Sequence, residues 1–221
     1  INRDGFVDFF VVDMLSRYPR LRKRELHAQM PRATPVGALD DRPQAMRNTM
    51  FWNRQDGTFS EVAAWAGLPA SDWSWAPVFL DVDLDGFEDL VIGAGHFRDV
   101  QDYDAEQVIR SRQHSWQGFR TEAERQAAFT RELMEHYRLY PLLQMPVGGF
   151  RNLGNGQFSE TTTQWGLDHP GINQGLATGD FDQDGDLDLV VNRLNSPALI
   201  LRNESPAPRV MVKLKGKTPN T

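Results

Sequence analysis

Two short stretches of the chain carry aspartates at alternate positions around a glycine. They are Asp81-Val-Asp-Leu-Asp-Gly-Phe-Glu-Asp89 and Asp180-Phe-Asp-Gln-Asp-Gly-Asp-Leu-Asp188, and each is followed at once by three apolar residues. Alternate carboxylates supply several oxygen ligands, the glycine permits a sharp turn, and the closing acid completes the ligand set that a hard cation needs. The pattern therefore predicts two calcium loops.

The spacing also predicts which groups hold the cation. Positions one, three, five and nine of each loop should ligate through side chains, and position seven through its backbone carbonyl. Calcium fits this pattern better than magnesium, because a flexible cage of protein oxygens suits the larger ion. The predicted Ca2+ ligands are Asp81, Asp83, Asp85, Phe87 and Asp89 in one loop, and Asp180, Asp182, Asp184, Asp186 and Asp188 in the other.

A third copy of the loop opens the chain without its first ligand. Its predicted ligands are Asn2, Asp4, Phe6 and Asp8, and Gly5 stands at the turn. A plain Asp-Gly turn with solvated acids explains one such loop equally well, but three copies argue against that interpretation. An EF-hand is excluded, because its closing Glu at position twelve is replaced here by Ile92 and Val191.

The loops are predicted to be structural rather than catalytic. A closed cage leaves no position for substrate, whereas a catalytic metal keeps one open and has a positioned base beside it. The sequence contains no nucleophile elbow, phosphate-binding loop or zinc-protease helix. Four histidines lie far apart in sequence and lack metal-ligand spacing: His96, His114, His136 and His169. We therefore expect no catalytic residues and no catalytic activity in this chain.

Composition supports a globular protein whose acidity belongs to these loops. The 221 residues have a net charge of −6 and no cysteine, so a nucleic-acid surface is disfavoured and the redox compartment is undetermined. Two divalent cations would bring the charge to −2, since −6 + 4 = −2. Because the chain begins inside an incomplete loop, we expect it to be a fragment of a longer protein.

The loops belong to a longer repeat. A hairpin pattern at Phe51-x-Asn53 and Gly57-x-Phe59-x-Glu61 recurs at Phe150-x-Asn152 and Gly156-x-Phe158-x-Glu160. The offset, 150 − 51 = 99, equals that between the loops, 180 − 81 = 99. A third hairpin start follows at Leu201-Arg-Asn203. Strands and turns dominate each unit, so the repeat favours propeller blades over a helical solenoid.

A segment of different character separates the units, from about Phe97 to Met145. Thr121-x-x-Glu124 has the form of a capping box, and Phe129, Leu133 and Tyr137 follow at four-residue spacing. We predict a helix there and a second one over Asp104 to His114. The insertion is either a structural cap over the sheet or a recognition element.

Four other segments carry weaker signals. Ser16 to Met30 is basic and predicts a short solvated helix or an ordered surface insertion, with an anion-binding patch as the alternative. Pro31 to Pro43 predicts an irregular connector. Arg209 to Gly216 alternates and predicts a half-buried strand. Trp73-Ser74-Trp75 predicts core or inter-blade packing, with a sugar-stacking platform as the alternative.

With these residues in view, the chain resembles the FG-GAP and VCBS repeat proteins. The resemblance is strongest to the cartilage acidic protein family, which joins such repeats to an ASPIC/UnbV domain. It rests on the two hairpins and on the loops that end Asp89-Leu-Val and Asp188-Leu-Val. Arg209 to Gly216, followed by Asn220, resembles the opening strand of the ASPIC/UnbV domain.

The resemblance implies a mainly β fold, namely part of an integrin-like β-propeller with a helical insertion. Residues 1–208 would form the propeller portion and residues 209–221 the start of the second domain. The implied setting is extracellular, at the cell surface or periplasmic, and the remaining blades would come from the parent chain. The resemblance thus implies an adhesion or ligand-binding scaffold that binds a protein or glycan. The alternative is part of a propeller enzyme, a polysaccharide lyase or glycosidase.

Overall fold

Antiparallel β-sheets are the main regular secondary structure of the described chain. The computed structural model describes residues 1–25, 46–112, 121–210, 212 and 215–216. Ten strands and four helices lie within these ranges, in the order β1 (Phe9–Val11), α1 (Pro19–Arg22), β2 (Thr49–Asn53), β3 (Phe59–Glu61), α2 (Ala63–Ala66), β4 (Ser74–Leu80), β5 (Asp89–Ala94), α3 (Tyr103–Ser111), α4 (Glu122–Tyr137), β6 (Gly148–Asn152), β7 (Phe158–Glu160), β8 (Asn173–Gly179), β9 (Asp188–Arg193) and β10 (Leu199–Leu201).

The strands form three separate sheets built on one plan. The first sheet has the order β1-β2-β3, the second β4-β5-β6-β7 and the third β10-β9-β8, with every neighbouring pair antiparallel. Strand β6 begins 99 residues after β2, since 148 − 49 = 99, and β7, β8 and β9 follow β3, β4 and β5 at the same offset. The second sheet is thus the full four-stranded unit. The first matches its last three strands and the third its first three.

The hydrophobic cores lie between successive sheets. The core between the first and second sheets is closed by Met50 and helix α2 on one side and by β5, β6 and β7 on the other. Its buried members are Met50, Ala63, Ala66, Leu68, Leu90, Ile92, Phe150 and Phe158. A second core joins the second and third sheets through Leu80, Val91, Val147, Leu167, Leu189 and Val191. Each sheet therefore buries a face against its neighbour, which is how small sheets with two apolar faces become stable.

The predicted helical insertion is confirmed in the described residues. Helices α3 and α4 lie between β5 and β6, which pair directly with each other. Thr121 accepts a hydrogen bond from the backbone N–H of Glu124, whose side chain accepts one from Thr121 in return, so the capping box is present. The second predicted helix is observed as α3, while His114 lies outside the described residues. No helix of the described ranges is both long and apolar enough to cross a bilayer.

The basic segment after β1 contains the predicted short helix and packs against the fold. Only Pro19–Arg22 is helical, and residues 26–30 lie outside the described ranges, as does the predicted connector from Pro31 to Pro43. The guanidinium of Arg17 lies 2.7 Å from the buried carboxylate of Asp72, and Arg24 pairs with buried Asp102. The short helix and these ion pairs agree with an ordered surface insertion, and the anion-binding patch stays a prediction.

The predicted strand from Arg209 to Gly216 is not formed in its described part. Residues 209, 210, 212, 215 and 216 lie outside every strand, and the rest of the segment lies outside the described residues. Val210 and Val212 are 87% and 73% exposed. An alternating sequence forms a half-buried strand only where a partner strand and a core face receive it, and neither reaches these two valines.

Candidate metal centre

The three predicted loops share one unusual backbone path. Position four has a positive φ in every copy, 59° at Arg3, 57° at Leu84 and 63° at Gln183. Residues other than glycine adopt this left-handed region at an energetic cost. The glycine at position six also has a positive φ, 97° in the second loop and 95° in the third. The repeat therefore extends from sequence to the conformation of each loop.

Carboxylate oxygens converge in the second and third loops. In the second loop, oxygens of Asp81, Asp83 and Asp89 all lie within 4.8 Å of one another. In the third, oxygens of Asp180, Asp182 and Asp184 do the same. Calcium holds its oxygens at 2.3–2.6 Å, so its ligands lie up to about 5 Å apart. The donor chemistry and spacing of both groups therefore fit a hard cation.

Backbone amides orient the first aspartate of each loop in the same way. The N–H of Asp85 donates to Asp81 Oδ1 at 3.0 Å and that of Gly86 donates to Asp81 Oδ2 at 2.9 Å. In the third loop, the N–H groups of Asp184 and Gly185 donate to the two oxygens of Asp180, each at 3.1 Å. Burial nevertheless raises the pKa of Asp81. The turn thus presents a partly desolvated carboxylate to the centre of the loop.

The closing aspartate of each loop joins the loop to the following hairpin. Asp8, Asp89 and Asp188 each accept a hydrogen bond at 2.8 Å, from the N–H of Asn53, Asn152 and Asn203 respectively. The second oxygens of Asp89 and Asp188 accept from the loop amides of Val82 and Phe181 at 2.9 Å. Burial raises the pKa of Asp89 to about 6. In all three copies, the backbone N–H of the asparagine of the hairpin pattern thus donates to the closing aspartate of the loop.

Arginines that the sequence reading missed neutralise several loop carboxylates. Arg151 Nε lies 2.6 Å from Asp83 Oδ2, and its Nη2 lies 3.0 Å from Asp85 Oδ2. Arg202 Nε makes the matching contact to Asp182 Oδ2 at 2.6 Å. A signal for them existed in the sequence, because both occupy the middle position of the repeated hairpin pattern, directly before the Asn.

A further arginine, Arg209, follows the hairpin start at Leu201 to Asn203 in the sequence and contacts the third loop. Arg209 Nη2 lies 2.8 Å from Asp184 Oδ2, and its Nη1 lies 2.5 Å from Asp186 Oδ2. The side chain of Asp186 therefore faces Arg209. The carbonyl ligands predicted at Phe87 and Asp186 stay predictions. No repeated pattern marked Arg209 in advance.

The predicted side-chain ligands outside the two converging groups are Asp85 of the second loop, Asp188 of the third and those of the first copy. Asp85 accepts from the N–H of Phe87 at 2.9 Å and pairs with Arg151. In the first copy, the amide nitrogen of Asn2 donates to Asp4 Oδ2 at 3.0 Å, and Asp8 Oδ2 lies 3.3 Å from the amino group of Ile1. Ligation by Asn2, Asp4, Phe6 and Asp8 stays a prediction.

The tryptophan pair before the second loop encloses a histidine. The ring of His96 stacks on Trp73 at 4.2 Å between centroids and on Trp75 at 5.7 Å. Ser74 between them is buried, and its hydroxyl contacts Ser71 and the carbonyl of Asp72. This arrangement agrees with the packing interpretation, although Trp75 is 42% exposed. The sugar-stacking alternative stays a prediction.

Comparison with known proteins agrees with the repeat seen in the sheets. Two regions match the sequence profile of the FG-GAP-like repeat, residues 36–92 and 145–191. Each region runs from before a hairpin (β2–β3 or β6–β7) through the following acidic loop. No match was found among curated proteins. The chain therefore carries two FG-GAP-like repeats, which supports an FG-GAP repeat protein.

Proposed function

We propose that this chain is a portion of a calcium-stabilised β-propeller that serves as a non-catalytic binding scaffold. The observation that carries the proposal is the repeated unit, in which a sheet, an acidic loop of fixed backbone shape and a hairpin recur at an offset of 99 residues. FG-GAP-like repeats suggest a propeller-like scaffold, and such repeats usually mediate protein interactions. The proposed partner is a protein or glycan ligand, and the proposed setting is extracellular, cell-surface or periplasmic.

The outer face of the first sheet supports packing against further blades. Phe9 and Phe59 are 41% and 43% exposed there, and the Phe9 ring stacks on Phe51 at 4.6 Å. Their counterparts in the second sheet are buried against the sheet before it. The counterpart pairs are Phe9 with Leu90, Val11 with Ile92, Phe51 with Phe150, and Phe59 with Phe158. We infer that the intact protein covers this aromatic face with another sheet.

The converging carboxylates support a structural cation in the second and third loops. Three like charges within 4.8 Å repel each other. A bound divalent cation would supply the compensating charge, held in the second loop by Asp81, Asp83 and Asp89. Because the closing aspartate is hydrogen-bonded to the hairpin, the cation would fix the loop relative to the sheet edge. Its role is thus to stabilise the blade, not to activate a substrate.

The proposal predicts that calcium raises the melting temperature of the protein. With affinities typical of extracellular modules, on the order of 10⁻⁴ to 10⁻³ M, a free concentration of about 1 mM contributes about 0.4 to 1.4 kcal/mol per site. That corresponds to a shift of a few degrees. The measurement is thermal unfolding with 1 mM calcium and with excess chelator, followed by isothermal titration of the chelated protein.

Two variants make this test specific. Asp184→Ala should remove the calcium response of the third loop and leave that of the second. Asp56→Ala is the matched control, because Asp56 is an exposed aspartate in a hairpin turn outside the loops. Identical melting curves with calcium and with chelator would refute the structural cation.

The proposed absence of catalysis is tested by screening the intact protein against a panel of glycans and analysing the products. Binding without products agrees with the scaffold. Turnover that a single acidic or histidine substitution removes, with melting temperature and calcium response intact, would establish the enzyme alternative.

A further inference from the structure

Asn203 connects two acidic loops that belong to successive repeats. Its backbone N–H donates at 2.8 Å to Oδ1 of Asp188, the closing aspartate of the third loop. Its carboxamide nitrogen donates, also at 2.8 Å, to the carbonyl oxygen of Val82 in the second loop. One residue therefore joins the candidate cation loops of two neighbouring sheets.

The same connection occurs one repeat earlier. The N–H of Asn152 donates to Asp89 Oδ1 at 2.8 Å, and its carboxamide nitrogen donates to the carbonyl oxygen of Ile1 at 3.1 Å. Ile1 occupies the loop position of Val82, because each stands the same distance before a closing aspartate, 8 − 1 = 89 − 82. The contact is therefore a feature of the repeat, and it joins both the second and the third loop to the loop before it.

Val82 stands between two of the acids that converge in the second loop, Asp81 and Asp83. Its N–H donates at 2.9 Å to Oδ2 of Asp89, the third member of that group. Since its carbonyl accepts from Asn203, both backbone polar groups of Val82 are held. The backbone from which Asp81 and Asp83 branch is thus fixed partly by a residue that follows the third loop.

Asp188 carries the connection into the third loop. Its Oδ2 accepts from the N–H of Phe181 at 2.9 Å, while its Oδ1 accepts from Asn203. Phe181 stands between Asp180 and Asp182, which belong to the converging group of that loop. A continuous chain of hydrogen bonds therefore runs from the backbone beside the acids of one loop to the backbone beside the acids of the other.

The side chain of Asn203 has little freedom to rotate. Its Oδ1 accepts from the N–H of Ser205 at 3.1 Å, and the hydroxyl of Ser205 donates to the carbonyl oxygen of Asp83 at 3.3 Å. Both ends of the carboxamide are thus held, while the backbone N–H of the same residue is engaged by Asp188. A group held in this way passes a displacement of one loop to the other, because it cannot absorb the displacement by rotating.

We propose that Asn203 couples the two loops, so that a cation held by either loop raises the affinity of the other. Acids that close on a cation lose conformational freedom, and a loop whose backbone is already ordered by its neighbour loses less. The coupling is reciprocal by thermodynamic linkage, and couplings between sites typically change affinity by about 5- to 150-fold. The inference deepens the proposed function and rests on it, because it concerns the same calcium loops.

The coupling is measured with a cycle of variants that leaves Asn203 unchanged. Asp83→Ala removes a converging acid of the second loop and Asp184→Ala removes one of the third, and neither side chain belongs to the chain of hydrogen bonds. Calorimetric titration with calcium gives the affinity of each remaining loop, and the double variant gives the background. We expect the product of the two association constants in the full chain to exceed the product from the single variants by about fivefold or more.

Repeating the cycle with Asn203→Asp tests the residue itself. The carboxylate keeps the shape of the side chain and an oxygen for Ser205, but it has no N–H to donate to Val82. The two products should then agree, so the coupling factor should fall to about one. Asn53→Asp is the matched control, because it adds the same charge at a residue whose carboxamide donates within its own loop, to the carbonyl oxygen of Val7 at 3.2 Å. The coupling factor of the control should equal that of the unchanged chain.

The outcomes separate this proposal from the proposed function. Calcium binding at both loops without any excess in the product overturns the coupling and leaves the structural cation intact. Coupling that survives in Asn203→Asp also overturns the proposal, even where the affinities of the single loops have changed, since a merely structural role would change those affinities alone. Absence of calcium binding in the full chain overturns both proposals.

Discussion

At the scale of single residues, the acids of each loop divide into two roles. The closing aspartate is buried and satisfied by backbone N–H groups from its own loop and from the next hairpin. The acids at positions one and three of the second and third loops belong to the converging groups, joined by the closing Asp89 in the second loop and by Asp184 in the third. The sequence pattern alone did not separate these roles, because all of them are aspartates at odd positions. The partners that separate them come from a hairpin more than 60 residues away in the second loop.

Arg151 competes with a cation for the second loop. Its guanidinium lies 2.6 Å from Asp83 Oδ2, and the side chain is 43% exposed. Exposed ion pairs of this kind contribute about 0.2 to 1 kcal/mol. Arg151→Gln should therefore tighten calcium binding at this loop by roughly two- to fivefold. The measurement is calorimetric titration of the Asp184→Ala background, in which the second loop is isolated.

The control for this prediction is Arg125→Gln. Arg125 is also an exposed arginine in an ion pair, but its partner Glu122 lies on helix α4. The calcium affinity of the Arg125→Gln variant should equal that of the same chain without this substitution. Weaker calcium binding in Arg151→Gln would mean that Arg151 organises the loop for the cation instead of competing with it.

A second residue-scale prediction concerns Asp99, a buried residue of the insertion. Burial raises the pKa of Asp99, and the nearby charge of Asp102 raises it further, while Arg24 and His96 oppose this. The folded state thus holds the proton more tightly than the unfolded state. The free energy of unfolding should fall as the pH rises from about 4 through the raised pKa, because the ionised form is disfavoured in the fold.

Asp99→Asn tests this sign. The amide is neutral at every pH, so the variant should be more stable than the parent at pH 7 and the difference should disappear near pH 4. Urea unfolding at several pH values measures it, and Asp168→Asn, at an exposed aspartate, is the control. A variant less stable than the parent at neutral pH would show that the charged form of Asp99 is needed in the fold.

At the scale of elements, local chemistry predicted some features and tertiary partners decided the others. The capping box at Thr121 predicted the start of helix α4, because both partners of a capping box lie within four residues. The hairpins were predictable for the same reason, since their turn residues set the register locally. The strand predicted at Arg209 to Gly216 was wrong in its described part. The described residues of that segment have no partner strand, and the side chain of Arg209 pairs with Asp186 of the third loop instead.

The basic segment after β1 shows the same limit. Its composition predicted a short helix or an ordered surface insertion, but not that Arg17 and Arg24 would pair with buried carboxylates that are distant in sequence. Buried charge pairs of this kind depend on which segments the fold brings together, and no local pattern encodes that. The acids of the two converging groups lie among the predicted ligands, whereas the arginines that contact the loops became interpretable only through the packing of the hairpin on the loop.

At the scale of the whole described molecule, stability depends on faces shared between sheets. Each core is made by two sheets, so the same repeat position is buried or exposed according to whether a neighbour is present. This explains the aromatic residues at the surface of the first sheet. A repeated sequence therefore predicts the unit, while the environment of each copy is set by its place in the array.

Phe59 and Phe158 provide a matched test of this view, because they occupy the same repeat position 99 residues apart. Phe158 is 7% exposed in the core between the first two sheets, so Phe158→Ala should cost about 3 to 5 kcal/mol of unfolding free energy. Phe59 is 43% exposed and contacts Phe9 edge-on at 5.0 Å, so Phe59→Ala should cost about 1 kcal/mol. Urea unfolding of the two variants at low protein concentration measures the difference.

Equal losses of unfolding free energy in monomeric protein would contradict the packing of the described sheets. A cost for Phe59→Ala that grows with protein concentration would instead show that copies of the chain cover the aromatic face of the first sheet, in place of the further blade that we propose for the intact protein.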